Sequence, residues 1–263
     1  MQLELLDRIR SENPVIFNIS NYITVQDVAN GLNSIGASPI MPSAIEEASE
    51  MLQISSGAAI NMGSFRSNEL PYIEKVGQLA NDLNIPLVLD PVAVAMPYRQ
   101  KVVTNLLDHI HFDFIRGNAG EIAALAGIKW QAKGIDAGDG SADLAEVAKK
   151  VAQRYNCTVV LSGPTDYISD GTHDTTVTHG TPLFQIHVGS GDMLSSFIAA
   201  FAAVSKNNYF EAARMACLIF ATTGEIVANE LVDEKPGSFI VALLDKLHLV
   251  TTKEIADQIT MED

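Results

Sequence analysis

Short runs of almost continuously apolar residues alternate with longer stretches of helical periodicity through much of this chain. The strand-like runs are Val15–Ile19, Ala58–Met62, Leu87–Asp90, Asp113–Arg116 and Thr158–Ser162. A strand that is apolar at nearly every position is typical of a parallel sheet covered on both faces. The alternation therefore predicts an α/β fold, with a mostly parallel central sheet and helices on both of its faces.

Helices are predicted where apolar residues recur at the spacing of one helix face. The candidates, in chain order, are Val25–Ile35, Ala44–Ser55, Leu70–Leu83, Ala119–Ala126, Asp143–Tyr155, Ser190–Ser205, Phe210–Asn229, Ser238–Leu247 and Lys253–Ile259.

The pattern changes after Gly163. Tyr167–Ser169, Thr175–Thr178 and Leu183–Val188 look like short strands separated by Asp-Gly and His-Gly turns, which predicts a local antiparallel meander. We expect the glycine-rich segment Lys133–Asp143 to be a long surface loop rather than a domain boundary. Residues 1–263 are therefore expected to form a single domain.

Composition excludes several classes of protein. The chain of 263 residues is 47% hydrophobic and carries a net charge of −15, which argues against a nucleic acid or an anionic membrane as partner. Cys157 and Cys217 lack a nearby Cys or His at metal-ligand spacing, so we expect reduced, buried thiols.

The N-terminal residues do not resemble a signal peptide, and no uninterrupted apolar stretch reaches the ~18 residues of a membrane span. We expect a cytoplasmic protein.

The turn Gly189-Ser190-Gly191-Asp192 leads into an apolar helix and is the most informative segment. Its glycines leave backbone amides uncovered at a helix N-terminus, where unpaired N–H groups and the helix dipole favour an anion. A carboxylate beside such a site suits a base that takes a proton from a hydroxyl during phosphoryl transfer. The alternative is that Asp192 is only the N-cap of the helix.

Other chemically useful groups follow the ends of predicted strands. Asp90 ends one strand, Arg116 with Asn118 and Glu121 follows the next, and Ser162 ends another. Ligands of open α/β sheets bind outside the carboxyl ends of the strands, so these groups are expected to converge on one edge. Asp90 and Glu121 suit Mg²⁺, and Arg116 suits phosphate oxygens. The chain has no Gly-x-x-x-x-Gly-Lys-Ser/Thr loop, so any ATP must be held by another architecture.

These segments, taken in order, resemble the hydroxyethylthiazole kinase family. The resemblance extends from about Asn13 to Asn229 and is carried by Asn18-Ile19-Ser20-Asn21-Tyr22-Ile23-Thr24, Ala29-Asn30-Gly31-Leu32, Gly36-Ala37-Ser38-Pro39-Ile40-Met41, Leu89-Asp90-Pro91-Val92, Ile115-Arg116-Gly117-Asn118-Ala119-Gly120-Glu121-Ile122, Asp170-Gly171 and Gly189-Ser190-Gly191-Asp192-Met193-Leu194-Ser195.

The resemblance implies a ribokinase-like fold and ATP-dependent phosphorylation of 4-methyl-5-(2-hydroxyethyl)thiazole, a reaction of thiamine salvage. It also implies Mg²⁺ as cofactor and a homotrimer with substrate sites between subunits. Site roles carried over from the family are substrate binding by Asn21, Met41 and Gly189, nucleotide binding by Arg116 and Ser162, and metal binding by Asp90 and Glu121. We further expect Asn118 and Gly191 to contact the nucleotide, and Asp192 to take the proton of the hydroxyl.

Two segments depart from the family pattern. Many members carry Cys at the position of Asp192, and the wider superfamily uses aspartate there as base. The family often has Gly-Ala-Thr where this chain has Val94-Ala95-Met96-Pro97. Two other classes remain open at this point: a nucleotide-dependent dehydratase of NAD(P)H hydrates, which has the same fold, and a non-catalytic binder of thiazole or nucleotide.

Overall fold

The structure is a computed structural model that describes residues 2–128, 130–133, 136–139 and 142–260. The central strands β1, β3, β4, β5 and β8 lie on the apolar runs. The strands are β1 (Val15–Ile19), β2 (Ser38–Ile40), β3 (Gly57–Asn61), β4 (Leu87–Asp90), β5 (Phe114–Asn118), β6 (Gln131–Lys133), β7 (Asp136–Asp139), β8 (Thr158–Ser162), β9 (Asp166–Ser169) and β10 (Asp174–Val177).

Helices occupy most of the remaining described residues. They are α1 (Glu4–Glu12), α2 (Val25–Ile35), α3 (Ala48–Gln53), α4 (Leu70–Asp82), α5 (Pro97–His109), α6 (Ala119–Leu125), α7 (Leu144–Tyr155), α8 (Leu183–Ile186), α9 (Ser190–Val204), α10 (Tyr209–Glu230), α11 (Pro236–Leu249) and α12 (Thr252–Thr260). No helix in these described segments is long and apolar enough to cross a membrane.

One large sheet organises the molecule, in the strand order β10-β9-β8-β5-β4-β3-β1-β2. All neighbours from β8 to β2 pair in parallel, whereas β8 with β9 and β9 with β10 pair antiparallel. The predicted mostly parallel sheet with a short antiparallel extension is therefore confirmed. Because β1, β3, β4, β5 and β8 run in the same direction, their carboxyl ends lie side by side at one end of the sheet, which we call the site edge.

Alternation along the strands divides the apolar side chains between two cores. On β4, Val88 faces the core formed with α9 and α10, whereas Leu87 and Leu89 face the core formed with α4 to α7. Phe114 and Ile115 of β5 are divided in the same way. Every one of these side chains is fully buried, as the continuous apolar runs predicted for a sheet with helices on both faces.

α1 and β2 are elements that the candidates above do not include, and three further segments differ from the expectations. Leu183–Val188 is not a third strand of the meander, because Leu183–Ile186 forms the short helix α8. The ring of Phe184 stacks on that of Phe220, with 4.6 Å between the ring centroids. A Cβ on Gly224 would lie 2.2 Å from the Phe184 ring, so this position needs glycine. The aromatic ring thus occupies a notch in α10, and this packing outweighs the strand-like alternation.

The second difference lies in the expected loop Lys133–Asp143. Within its described part, β7 pairs antiparallel with β6, so the segment contains a small two-stranded sheet; Gly134 and Gly140 lie outside the described residues. The third difference is α5, which the periodicity analysis did not predict. It begins at Pro97, a residue that favours the first turn of a helix.

Helix α9 lies directly against the sheet and begins in the turn Gly189-Ser190-Gly191-Asp192. A Cβ on Gly57 would come within 2.6 Å of the Ala199 carbonyl oxygen, so the glycine permits close approach of α9 to β3. Nearly every residue of α9 is buried, which explains its apolar composition on all sides. The packing of α9 therefore fixes the position of its N-terminus at the site edge.

Candidate active site

Asp90 is the most tightly held carboxylate at the site edge. Its Oδ2 accepts hydrogen bonds from Asn61 Nδ2 at 3.0 Å, Ser195 Oγ at 3.1 Å and Arg116 Nη1 at 3.3 Å. Its Oδ1 is buried and has no hydrogen-bond partner among the described residues. A carboxylate oxygen that is buried without a partner costs folding free energy. A ligand that contacts Oδ1 would remove this cost.

Arg116 connects the ends of β4, β5 and β8. Besides the Asp90 contact, Nη2 donates to Ser162 Oγ at 2.5 Å. The guanidinium lies across the first turn of α9, where a Cβ on Gly191 would come within 2.2 Å of Nη1. Arg116 and the N-terminus of α9 thus bring positive charge to one place, as the strand-end argument predicted.

Glu121 has both carboxylate oxygens engaged by backbone amides. Oε2 accepts from the Asn118 amide at 2.8 Å and Oε1 from the Ala93 amide at 2.8 Å, while Asn118 Oδ1 accepts from the Glu121 amide at 3.0 Å. Asn118 and Glu121 therefore form a capping box at the start of α6. Ala93 has a φ of 58°, a left-handed conformation in the loop that departs from the family pattern.

The two carboxylates influence each other. Burial, and then the neighbouring charge of Asp90, raise the pKa of Glu121 to about 7. Burial also raises the pKa of Asp90, against the opposing effects of Arg116, Ser195 and Asn61. A cation beside two such groups would relieve both the repulsion and the unsatisfied Oδ1 of Asp90, so the residues present fit a divalent metal ion.

A third carboxylate, Asp192, lies in the first turn of α9. Its Oδ2 accepts from Thr24 Oγ1 at 2.8 Å and from the Asn21 amide at 3.2 Å. The N-cap of α9 is Gly189, so the alternative that Asp192 is only a helix cap is wrong. Burial and then the charge of Asp90 raise the pKa of Asp192 to about 7.

The turn before Asp192 requires glycine for two reasons. Gly189 has a φ of 106°, in the left-handed region that disfavours side chains. A Cβ at that position would also lie 2.7 Å from Thr24 Cγ2. The start of α2 and the start of α9 therefore meet at this point, and Asn21, Gly189 and Asp192 lie close together.

Met41 lies farther along the site edge than the other residues expected to bind substrate. It follows β2, the last strand of the sheet, and is partly buried against the core under α9. Asn21 follows the neighbouring strand β1, and its Oδ1 accepts from the Ile23 amide at 3.1 Å. Met41 and Asn21 thus follow adjacent strands.

Several residues that shape the site were not predicted individually. Asn61 is a polar residue at the end of a buried apolar strand, a signal that could have identified it. Ser195 and Thr24 lie inside the quoted family segments, but their contacts depend on residues far away in the chain. Arg99 donates to the carbonyls of Met62, Gly63 and Val92, at the ends of β3 and β4; it belongs to the unpredicted α5.

Comparison with known proteins adds independent information. Residues 6–253 match the model of the hydroxyethylthiazole kinase family. The hydroxyethylthiazole kinase of Lactiplantibacillus plantarum is 54% identical over 97% of this chain and 97% of its own length. A solved hydroxyethylthiazole kinase structure from Pyrococcus horikoshii OT3 is 32% identical and superposes with a TM-score of 0.85, covering 97% of this chain and 95% of that one.

The fold extends to more distant proteins. A ribokinase-like superfamily protein from Enterococcus faecalis V583 is similar in structure, with a TM-score of 0.63 over 94% of both chains. At 14% identity this likeness concerns the fold alone, and it agrees with the ribokinase-like architecture that the sequence predicted.

Proposed function

The chain belongs to the hydroxyethylthiazole kinase family, and on that premise we propose that it transfers a phosphoryl group from ATP to the hydroxyl of 4-methyl-5-(2-hydroxyethyl)thiazole, in thiamine salvage. The family match over nearly the whole chain does not favour the NAD(P)H-hydrate dehydratase alternative. The observation that carries the proposal is Asp192, a buried carboxylate beside a helix N-terminus and close to Arg116. A protein that only binds its ligands has no need of such a base.

Asp192 acts as the general base in this proposal. It takes the proton of the acceptor hydroxyl while the hydroxyl oxygen forms a bond to the γ-phosphorus of ATP. The bond between that phosphorus and the bridging oxygen breaks, and its electron pair leaves with ADP. Asn21, Gly189 and Met41 bind the thiazole; a thioether packs favourably on an aromatic ring.

In this proposal, the thiazole and the nucleotide phosphates lie on opposite sides of Asp192. Arg116 pairs with phosphate oxygens, and Ser162, Asn118 and Gly191 line the nucleotide site. Support comes from the position of the Arg116 guanidinium across Gly191, at a helix N-terminus that favours negative charge. Charge on the transferring group is then neutralised by fixed groups that need no reorganisation.

We further propose that Asp90 and Glu121 hold Mg²⁺, directly or through water. Among the described residues, no cluster of three His, Cys, Asp or Glu side chains could hold a metal ion by itself. This agrees with Mg²⁺, which keeps several waters and takes further ligands from substrate phosphates. When bound, the ion would neutralise negative charge on the phosphates of ATP.

The proposed oligomeric state comes from the family resemblance, and exposed apolar residues beside the substrate side support an interface there. Tyr22, Ile23 and Val188 flank Asn21 and Gly189 in sequence and are 68%, 64% and 65% exposed. An apolar surface of this kind beside a binding site is typical of a protein interface. We propose a homotrimer of single-domain subunits with substrate sites between them, working in the cytoplasm.

The test is an assay of ADP formation with three acceptor alcohols: hydroxyethylthiazole, hydroxymethylpyrimidine and pyridoxal. We expect ADP and phosphorylated thiazole in equal amounts, and the highest kcat/KM for the thiazole. A parallel reaction supplies a hydrated nicotinamide cofactor with ATP. Repair of that cofactor without any thiazole phosphate would establish the dehydratase instead, and binding without turnover would establish the non-catalytic alternative.

A further inference from the structure

The carboxylate of Asp192 is held asymmetrically. Both hydrogen bonds that the described residues give to it end on Oδ2, from the Thr24 hydroxyl and the Asn21 amide. An amide N–H is a donor only, so it disfavours a proton on the oxygen it contacts. Oδ1 is therefore the oxygen on which Asp192 can receive a proton.

Thr24 is positioned to control this arrangement. It precedes the first residue of α2, is 2% exposed, and reaches across 168 positions of the sequence to Asp192. Its methyl group lies against Gly189, and its hydroxyl is also 3.3 Å from the Asn21 carbonyl oxygen. One side chain thus contacts the base, the turn before the base and the loop that carries Asn21.

We propose that Thr24 is a positioning residue for phosphoryl transfer, whose hydroxyl holds Oδ2 of Asp192 so that Oδ1 takes the proton of the acceptor alcohol. The proposal rests on the proposed kinase function and assigns a role to a residue outside the set that binds substrate, nucleotide or metal. The proton moves from the alcohol oxygen to Oδ1, while the same alcohol oxygen forms the new bond to phosphorus.

The Thr24 hydroxyl suits both charge states of the base. When Asp192 is ionised, the hydroxyl donates to Oδ2; when Oδ1 carries the proton, Oδ2 is still an acceptor and the hydroxyl still donates to it. The hydroxyl therefore keeps the carboxyl group in one orientation throughout proton transfer.

Charged groups on neighbouring elements set the background for this effect. Asp90 at the end of β4 raises the pKa of Asp192, whereas Arg116 on β5, like the hydrogen bond from Thr24, lowers it. Asp27 on α2 faces His187, which precedes the turn, at 3.5 Å. Since none of these groups changes when Thr24 is replaced, a shift in the pH profile reports the hydroxyl itself.

The experiment compares Thr24→Val with Thr24→Ser. Valine keeps the methyl group against Gly189 and has a second methyl in place of the hydroxyl, whereas serine keeps the hydroxyl and removes the methyl. We expect Thr24→Val to lower kcat about tenfold at pH 7 and to move the acid limb of kcat/KM for the thiazole up by about one pH unit. Thr24→Ser should stay within about threefold of wild type, with an unchanged profile.

A double-mutant cycle separates positioning from packing. In an Asp192→Asn background, Thr24→Val should cost little further kcat, because no base remains to be positioned. Equal losses in both backgrounds, or equal losses in the valine and serine variants without a shift of the pH profile, would overturn the proposal. If valine prevents folding, Thr24→Ala replaces it, with the serine variant as its control. A wild-type enzyme that fails to phosphorylate the thiazole would refute the proposed function, a result distinct from any of these.

Discussion

The protonation state of a buried carboxylate is set by its surroundings, and Asp192 is the clearest case in this protein. Loss of hydration is the largest cause that raises its pKa to about 7, close to the pH at which a general base works best. Its partners Thr24 and Asn21 favour the ionised form. The residue is thus available both to accept a proton and to release it.

Replacement of Asp192 by Asn should remove the base while keeping size and hydrogen-bonding capacity. We expect kcat to fall about 10²–10⁴-fold, since base catalysis is only part of the effect in a loose phosphoryl-transfer transition state. Asp192→Cys should retain more activity than Asp192→Asn, because a thiolate can accept a proton. Single-turnover phosphorylation at saturating Mg·ATP measures this; an Asn variant within threefold of wild type (under ~1 kcal/mol in barrier) would assign Asp192 no catalytic role.

The same substitution should change how stability depends on pH. The folded-state pKa of Asp192 is raised from 3.8 to about 7. The contribution of this group to the free energy of unfolding is therefore most favourable below pH 4 and falls as the pH rises toward 7. Asn carries no such cost, so Asp192→Asn should become relatively more stable over that interval, on the order of 3–4 kcal/mol. Thermal unfolding at pH 4 to 8 tests this, with Asp108→Asn on the surface as control.

Met41 offers a test of the substrate side. Met41→Ala should raise KM for the thiazole and leave the KM for ATP nearly unchanged, because Met41 lies at the β2 end of the sheet, away from Arg116 and Ser162. The lost packing is of order 1–3 kcal/mol. Steady-state kinetics with each substrate varied decide the point: an unchanged KM for the thiazole with weakened ATP binding contradicts the assignment.

At the scale of elements, the N-terminus of α9 and the end of β5 work as one unit. A Cβ on Gly191 would lie 2.2 Å from Arg116 Nη1, the far end of a flexible side chain. Gly191→Ala should therefore displace the guanidinium, weaken its contacts with Asp90 and Ser162, and raise KM for ATP about tenfold, the loss of roughly one charge-assisted hydrogen bond.

Gly189→Ala is the matched control for that prediction. At a φ of 106°, an alanine is strained, and its Cβ would meet Thr24 instead of Arg116. We expect this variant to lower the melting temperature and to leave KM for ATP within about twofold of wild type, whereas Gly191→Ala raises that KM about tenfold. Equal melting temperatures and equal KM values for ATP in both variants would contradict separate roles for the two glycines.

At the scale of the whole molecule, the prediction is a trimer. Light scattering should give three times the chain mass of 28.3 kDa at working concentration. Ile23→Glu places a charge on the exposed apolar surface beside Asn21 and should dissociate the assembly and raise KM for the thiazole. A monomer that is fully active is the result that rules out sites shared between subunits.

Much of the architecture could be predicted because it depends on local periodicity. The bounds of β1, β4, β8 and α2 agree with the sequence prediction to the residue, since each is a strongly patterned segment between clear turns. The convergence of Asp90, Arg116 and Ser162 was also predictable. Parallel strands end on one edge, so residues at successive strand ends become neighbours without any knowledge of packing.

What the sequence determined by itself was the set of layers and the edge on which the polar groups gather, because side-chain period and strand direction are properties of consecutive residues. Tertiary structure alone decided that Leu183–Ile186 is helical and that Thr24 holds Asp192. The burial of the Phe184 ring in the notch beside Gly224 stabilises the fold more than a further strand of the sheet would. Contacts of this kind join residues tens to hundreds of positions apart, and their free energy exists only once the helices have packed against the sheet.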